Sequence, residues 1–356
     1  MPGGRRRPAA SDAPPAVAPP RKRALNRRGR KAGGVTNVFI TIDTEYSAGL
    51  HQRGATQAEN FARSIACETS RGSVGIEYQM GVFDRHGLTG VFFVDPMPAL
   101  LWGTEAIAAI VRPVLARGHE VQCHVHAEWL QFAPAGNPLG LPAHRNIADY
   151  EFEQQVQLLT YARDVLVEAG APAPIAFRAG NYGANDDTLR ALRWAGMRYD
   201  TSHCPGIATS DCRISLGAED RAVMHHAGAL EVPVGAVRDW DGSLRHAQLT
   251  ALSHRELTEA VLHARDAGLG SFTVVSHSFE LLSRDRSRVN EVVKRRFERF
   301  CRDLERIRGV EAKGYMAAPP MPPRADGWAP TLPANRLRSA ERMAQQAISN
   351  LLYGRG

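Results

Sequence analysis

The chain has 356 residues and a formal net charge of +7, with 44% hydrophobic and 23% charged residues. These proportions are typical of a globular protein, and no stretch approaches the roughly 18 uninterrupted apolar residues of a membrane span. The five cysteines are odd in number and widely spaced, which argues against a disulfide framework and favours reduced thiols in a cytoplasmic setting.

The positive charge is concentrated in the first 34 residues. Residues 1–34 contain ten Lys or Arg and one acid, a formal charge of +9, so the remainder has 34 basic against 36 acidic side chains, or −2. This tail is rich in Pro, Ala and Arg, so we expect it to be disordered, and it lacks the apolar region of a secretory signal. No nucleic-acid partner is therefore expected for the folded part, whereas the tail could contact an anionic membrane surface at roughly 1 kcal/mol per cation.

Strands and helices alternate in the predicted secondary structure. The patterns predict strands over 35–43, 88–94, 119–126, 175–178, 197–200, 230–234 and 271–277, with a weak strand near Glu311. They predict helices within 57–86 (broken near Arg71), from Thr104 as N-cap to Gly118, over 149–169, from a cap at Asn185 or Asp186, over 255–267 and over 287–308. A Pro/Gly-rich loop is predicted over 131–145. This alternation favours an α/β fold in which helices cover a parallel sheet, arranged as one irregular (β/α)7-type barrel. A doubly wound open sheet is the alternative, but no glycine-rich dinucleotide loop follows the first strand.

After about residue 316 the chain becomes rich in proline, which breaks regular structure. Residues 336–352 regain a helical pattern that could dock on the domain, pair with a partner or lie on a membrane; docking is the default expectation. We therefore divide the chain into the tail at 1–34, a barrel domain at 35–315, and a Pro-rich linker with a C-terminal helix at 316–356.

Two pairs of polar side chains lie at the ends of predicted strands. Asp43 and Glu45 are two apart and share a strand face, and adjacent carboxylates repel unless a cation or a proton separates them. His124 and His126 have the same spacing, which can place both imidazoles on one metal ion. Because the C-terminal ends of parallel strands meet at one rim, the pairs predict a metal-assisted hydrolase.

Two further strand ends carry residues suited to such chemistry. Arg178 follows an apolar strand, and a cation beside Asp43 would favour the ionised carboxylate. His277 lies at the end of another strand, where it could be catalytic or structural. Trp129 and Tyr182 could stack on a sugar, although aromatic residues are more often found in the core.

The segments that contain these residues resemble, in chain order, the motifs of the polysaccharide deacetylase family, also known as the NodB-homology group or carbohydrate esterase family 4. The resemblance covers roughly residues 35–310. It rests on Thr41-Ile42-Asp43-Thr44-Glu45, on Gly118-His119-Glu120-Val121 leading into His124, on Phe177-Arg178 with Tyr182-Gly183, and on the strand-borne His277.

The resemblance implies an irregular (β/α) barrel and metal-dependent hydrolysis of N-acetyl groups, usually on amino sugars. It implies that Asp43 is the catalytic base, that Arg178 holds this carboxylate, and that His277 is the general acid. An oxyanion could be stabilised by a backbone N–H near Asn181 and Tyr182. With Trp129, these two residues form the predicted substrate-binding set.

The chain departs from the family pattern at the metal ligands. Thr44 replaces the second Asp, and Glu128 replaces the second His of the second motif. Glu45 is predicted to lie on the same strand face as Asp43, and His126 on the same face as His124, so each offers a replacement ligand. The predicted metal set is therefore Glu45, His124 and His126, with Glu128 as a candidate fourth ligand. The mixed imidazole and carboxylate donors favour Zn²⁺ without excluding other divalent ions.

The predicted function is metal-dependent removal of N-acetyl or O-acetyl groups from a carbohydrate. The shifted ligands resemble those of a branch linked to lipopolysaccharide and surface-glycan loci, so surface polysaccharide is the expected substrate class. Two alternatives remain open at this stage. One is an allantoinase-like hydrolase of a small cyclic amide, and the other is a catalytically inactive barrel that binds glycan.

Overall fold

The computed structural model describes residues 34–207, 209–323 and 329–354, so the predicted tail, apart from Gly34, lies outside the described residues. The strands are β1 (Thr36–Thr44), β2 (Glu68–Thr69), β3 (Gly72–Ser73), β4 (Gly90–Val94), β5 (Glu120–Val125), β6 (Ala176–Ala179), β7 (Tyr199–Asp200), β8 (Met224–His226), β9 (Ala229–Glu231), β10 (Ala236–Arg238), β11 (Leu244–His246), β12 (Ser271–His277) and β13 (Val310–Glu311). The helices are α1 (Ala48–Gln52), α2 (Gln57–Ser64), α3 (Ile76–Arg85), α4 (Ala99–Trp102), α5 (Thr104–Ala116), α6 (Phe152–Glu168), α7 (Asp186–Trp194), α8 (His254–Asp266), α9 (Glu291–Arg306) and α10 (Arg336–Tyr353).

A nine-stranded sheet forms the centre of the fold. Its order is β12-β1-β4-β5-β6-β7-β9-β8, with β13 paired to the start of β1. Every neighbouring pair from β12 to β9 is parallel, and only β8 pairs antiparallel, with β9. All nine residues of β1 are buried, as expected for a strand with neighbours on both edges and layers on both faces. The predicted α/β class with a parallel sheet is therefore confirmed.

The barrel is open. Among the described residues β9 and β12 are not paired, and the stretch at 235–249 spans the gap between them with scattered backbone hydrogen bonds. Gly235 N donates to Thr273 O at 2.9 Å, and Leu249 N donates to Val275 O at 3.0 Å. Pro233 ends β9 early, because proline has no N–H to donate to a ladder; the predicted strand over 230–234 is accordingly shorter in the structure.

Helix starts follow the capping chemistry of the sequence at most positions. Asn185 is the N-cap of α7, as predicted, and its side chain accepts from Thr188 N at 2.9 Å. The predicted N-cap Thr104 is wrong, because Gly103 caps α5 with φ 76°, a conformation that glycine adopts without a Cβ penalty. The predicted break near Arg71 is a small hairpin, β2–β3, between α2 and α3. The short helices α1 and α4 were not predicted, because one turn carries too little periodicity to detect.

The C-terminal helix α10 packs against the domain through buried charges. The Arg342 guanidinium donates to Asp239 Oδ2 at 2.6 Å and to Glu256 Oε1 at 3.1 Å, and all three side chains are buried. Ser339 Oγ also donates to Asp239, at 2.7 Å. Among the described helices, none is both long enough and apolar enough to cross a membrane.

Replacing Arg342 with Ala should lower the free energy of unfolding by about 3 kcal/mol, because it leaves two buried carboxylates without their shared cation. Arg245 still pairs with Asp239 at 2.9 Å, which keeps the loss at the lower end of the usual range. Urea denaturation measures the effect, with the exposed Arg336→Ala on the same helix as the control. Equal stability of the two variants would show that these ion pairs do not hold α10 in place.

Candidate metal centre and active site

The strand register brings the predicted site residues to one rim of the sheet. Asp43 at the end of β1 is the register partner of His277 at the end of β12. On the other side, His124 in β5 is the register partner of Arg178 in β6. The residues come from strands more than 230 positions apart in the chain, and the parallel order places all their C-terminal ends at the same edge.

Glu45, His124 and His126 form a compact cluster of donor atoms. The Oε2 atom of Glu45 lies 3.2 Å from His124 Nε2 and 2.5 Å from His126 Nε2. One donor atom from each side chain lies within 4.8 Å of the others, and the described residues contain no other such group of three or more His, Cys, Asp or Glu. The predicted metal-ligand set is thus together in space.

A backbone contact orients His124. Its Nδ1 lies 2.7 Å from the carbonyl oxygen of Arg178, which can only accept a hydrogen bond, so Nδ1 carries the proton. In the neutral ring this leaves the Nε2 lone pair directed at the Glu45 carboxylate. Two acceptors facing each other require a proton or a cation between them, which is the arrangement of a metal-binding histidine whose second nitrogen is held by a carbonyl.

Burial and opposite charge shift the pKa values of Glu45 and His126 in opposite directions, and the effect of opposite charge is the larger. Burial acts to raise the pKa of Glu45, but the adjacent His126 and His124 hold that pKa well below its usual range. Burial acts to lower the pKa of His126, but Glu45, Asp95 and Glu128 raise it to about 10. Before any metal binds, Glu45 is therefore an ionised carboxylate paired with a protonated His126, and a metal that binds here would displace that proton.

These donors fit a divalent cation. Two imidazoles and one carboxylate are a common ligand set for catalytic zinc, which keeps its fourth position for water or substrate. Glu128 is a poor fourth ligand at this centre, because its Oε1 lies 4.0 Å from Nδ1 of His126, on the opposite side of the ring from the Nε2 that faces Glu45.

Asp43 does not point at the imidazole pair but forms a buried ion pair with Arg178. Its Oδ1 accepts from Arg178 Nη1 at 2.5 Å, and the guanidinium is fully buried. Arg178 also donates to the Thr201 carbonyl at 3.3 Å and lies over the Phe93 ring at 4.6 Å. Burial acts to lower the pKa of Arg178, but the charge of Asp43 outweighs it and the pKa is raised. Asp43 and Glu45, two residues apart at the end of β1, thus have different partners.

His277 faces Asp43 on one side and Glu280 on the other. Its Nε2 lies 3.9 Å from Asp43 Oδ2, and its Nδ1 lies 3.6 Å from Glu280 Oε2. Burial acts to lower the pKa of His277, but these carboxylates raise it to about 9. Glu280 itself is fixed by Gln248 and Thr250. Although burial acts to raise its pKa, His277, Thr250 and Ser276 lower it to about 2. The imidazole of His277 is therefore protonated at neutral pH.

The site contains a pocket of about 140 Å³. It is lined by Asp43, Glu45, His124, His126 and His277, together with Ala179, Asn181 and Tyr182. The volume corresponds to several water molecules at about 30 Å³ each, or to a small acyl group with water. Asn181 and Tyr182 have consecutive left-handed conformations, φ 55° and 56°. Such strain is costly for a tyrosine and is found mostly at functional sites.

Trp129 is not in the pocket. The indole is only 2% exposed, packed against His51, Trp102 and Phe132. The prediction that it stacks on substrate is therefore corrected: it follows β5 on a short turn that directs the ring into the core, where a large apolar ring gains more from burial.

Asp95 lies beside His126 but was not among the predicted site residues. It is fully buried at the end of β4, and its Oδ1 accepts from the backbone N–H of His126 at 3.4 Å. Its Oδ2 and His126 Nδ1 are both buried without a recorded partner. Burial raises the pKa of Asp95 to about 6, against the lowering effect of the two histidines. Its position directly after an apolar strand, the same signal that singled out Asp43, could have found it.

Comparison with family models and with curated proteins finds no match. Among solved structures, a Mycobacterium smegmatis protein assigned as a polysaccharide deacetylase matches with a TM-score of 0.52 and 17% identity, over 85% of this chain and 98% of that chain. A family 4 carbohydrate esterase from Streptomyces lividans matches with a TM-score of 0.38 and 12% identity, over 84% and 98% of the two chains. The 4-α-glucanotransferase of Thermococcus litoralis matches with a TM-score of 0.47 and 13% identity, over 80% and 40%.

The last two structures superpose too loosely to bear on the fold. The Mycobacterium smegmatis structure shows that this chain has the fold of the polysaccharide deacetylases, as the sequence motifs predicted. At this identity the similarity defines a fold, and the activity has to be argued from the site.

Gly180 allows the His126 ring to approach the backbone, and its replacement by Ala should weaken metal binding. A Cβ at this position would lie 2.6 Å from His126 Nδ1, so the ring must move. We expect a 10- to 100-fold loss of zinc affinity in a chelator-competition titration, the range typical of disturbed ligand orientation. Gly270→Ala, where a Cβ meets nothing within 4 Å, is the matched control. Unchanged affinity in both variants would show that the position of His126 is unimportant for binding.

Proposed function

We propose that this protein is a metal-dependent hydrolase that removes acetyl groups, most readily N-acetyl groups, from a carbohydrate. The observation that carries the proposal is the convergence of Glu45, His124 and His126 on one pocket with the Asp43–Arg178 pair and His277. A site with a metal-binding set, a held carboxylate and a protonated imidazole has the groups that amide hydrolysis requires.

Glu45, His124 and His126 would hold the metal. When bound, a divalent ion supplies a Lewis acid and lowers the pKa of a coordinated water toward neutrality. Zinc is our proposal for its identity, since the donors are two imidazole nitrogens and a carboxylate oxygen. Asp95 would position His126 through the backbone contact at 3.4 Å.

Asp43 is the proposed general base. Its Oδ1 is held by Arg178 at 2.5 Å, which leaves Oδ2 free to accept the proton of the attacking water. Because Arg178 is itself fixed by Thr201 and Phe93, the carboxylate has little freedom to rotate. A base held in one orientation loses less entropy at the moment of proton transfer.

His277 is the proposed general acid that protonates the leaving amine. The carboxylates of Glu280 and Asp43 keep its imidazole protonated at neutral pH, and its Nε2 faces the pocket side of Asp43. Asn181 and Tyr182 also line the pocket, and their left-handed backbone is suited to present an N–H to the developing oxyanion.

The carbohydrate substrate is proposed from the polysaccharide-deacetylase fold together with this site. The shifted ligands Glu45 and His126 further resemble those of deacetylases linked to surface glycans, so we propose a surface polysaccharide or lipopolysaccharide precursor as the substrate class. The basic side chains of the tail at 1–34, all of which lie outside the described part of the chain, would then favour contact with an anionic membrane surface.

Asp43→Asn should reduce acetate release by about 10²- to 10⁴-fold, the usual contribution of a general base. The variant should keep about one divalent ion per chain by elemental analysis, because Asp43 lies outside the ligand cluster. The double variant His124→Ala, His126→Ala is the matched comparison, and it should lose the ion. Loss of metal from Asp43→Asn would instead make Asp43 a ligand and contradict its assignment as the base.

Glu280→Gln should shift the alkaline limb of the pH profile. The protonated form of His277 persists below its raised pKa of about 9, so kcat/KM should fall as pH rises through about 9. Removing the carboxylate that raises this pKa should move the limb downward by about one pH unit or more. Glu105→Gln, which changes a carboxylate that is 80% exposed on α5, is the control. An alkaline limb that does not move would mean that His277 is not the titrating acid.

A further inference from the structure

Arg286 occupies an unusual position beside the active site. It lies in the loop between β12 and α9, and its guanidinium carbon is 3.8 Å from the centroid of the Phe279 ring. The Phe279 ring in turn lies 5.3 Å from the ring of His277. A short stack of side chains therefore places the guanidinium next to the proposed general acid.

The loop holds Arg286 in a strained conformation. Its φ is 59°, a left-handed value that is uncommon outside glycine, asparagine and aspartate. Its backbone N–H donates to Ser283 O at 2.8 Å, and the Nη1 donates to the buried Ser64 Oγ at 2.8 Å. The left-handed backbone and the hydrogen bond to Ser64 together fix the position of the guanidinium over Phe279.

The nearest acid in the loop is engaged elsewhere. The carboxylate of Asp285 accepts from Ser283 Oγ at 2.6 Å, from Ser287 N at 3.1 Å and from Ser287 Oγ at 2.6 Å. Among the described residues, no carboxylate forms an ion pair with Arg286, whose recorded side-chain partner is the neutral hydroxyl of Ser64. The half-buried guanidinium of Arg286 thus keeps most of its N–H donors for another group.

Further positive charge surrounds this guanidinium. Burial lowers the pKa of Arg286, the charge of Glu45 acts to raise it, and Arg63 and Arg53 lower it again. Glu45 cannot serve as the counter-ion, because its carboxylate faces the imidazoles of His124 and His126. The Arg286 guanidinium therefore has no carboxylate paired to it among the described residues, and such a cation attracts anions.

We propose that Arg286 binds a negatively charged substituent of the substrate, a phosphate or a carboxylate. This inference rests on the proposed function and narrows its substrate class to acidic or phosphorylated acetylated sugars. A guanidinium suits this role because its planar set of donors matches the oxygens of either group, and its stacking on Phe279 presents one edge.

The test compares three probes: N-acetylglucosamine, its 6-phosphate, and N-acetylmuramic acid, which carries a carboxylate. The wild-type protein should release acetate from at least one charged probe with a kcat/KM about tenfold or more above the neutral sugar, as expected for a charge-assisted hydrogen bond. Preference for the phosphate or for the carboxylate identifies which anion is bound. Equal rates on all three probes would overturn the inference and leave the proposed function standing.

Arg286→Gln should reduce kcat/KM for the preferred charged probe by about 10- to 100-fold, chiefly through KM, and leave the neutral sugar nearly unchanged. Arg286→Lys should recover part of the loss. The control is Arg193→Gln, an exposed arginine at the end of α7 remote from the strand rim. An equal loss on neutral and charged probes would mean that Arg286 only supports the loop, and would overturn the inference.

Binding measurements separate this inference from the proposed reaction. Titration calorimetry of the full chain with N-acetylglucosamine 6-phosphate and with N-acetylmuramic acid, at low and high salt, should show salt-sensitive binding of one of them that Arg286→Gln weakens about tenfold or more. If no probe releases acetate but this binding is seen, the deacetylase proposal fails and the anion site stands. If acetate is released but neither charged probe binds more tightly than the neutral sugar, the anion site fails.

Discussion

The buried ion pair between Asp43 and Arg178 is the interaction on which the site depends. These residues lie on β1 and β6, which are separated by two strands in the sheet. In a flat sheet the two strands would be about 14 Å apart, at roughly 4.8 Å per strand, so the 2.5 Å contact forms because the sheet curls. Each charge is stable in the interior only because the other is present, since an isolated buried ion costs several kcal/mol. The pair thus links the curvature of the sheet to the orientation of a single carboxylate.

That pairing also separates the roles of two neighbouring acids. Asp43 lies near the end of β1 and Glu45 directly follows the strand, yet Asp43 contacts a guanidinium and Glu45 contacts two imidazoles. Different partners give two carboxylates at the end of one strand different chemistry, as in other hydrolytic sites where the environments of paired acids differ.

The C-terminal helix is connected to the site through a chain of polar contacts. Gln346 on α10 donates to the Thr250 carbonyl at 3.3 Å, Thr250 N donates to Glu280 at 3.1 Å, and Glu280 accepts from His277 N at 3.0 Å. The buried pairs of Arg342 hold the helix that begins this chain. A segment that follows a Pro-rich stretch thereby helps to position the proposed general acid, and its contribution comes from polar contacts, which hydrophobic periodicity does not reveal.

The sequence by itself determined the α/β alternation and the polar residues at the strand ends, because local periodicity and spacing two residues apart on a strand are properties of the chain alone. It could not determine that the sheet stays open, that Trp129 is buried, or that Arg286 lies on the Phe279 ring near His277. Those features depend on which strands become neighbours and how far the sheet curls, and both are set by contacts between residues distant in the chain. Only the tertiary structure could therefore decide which side chains at the rim face the pocket and which face the core.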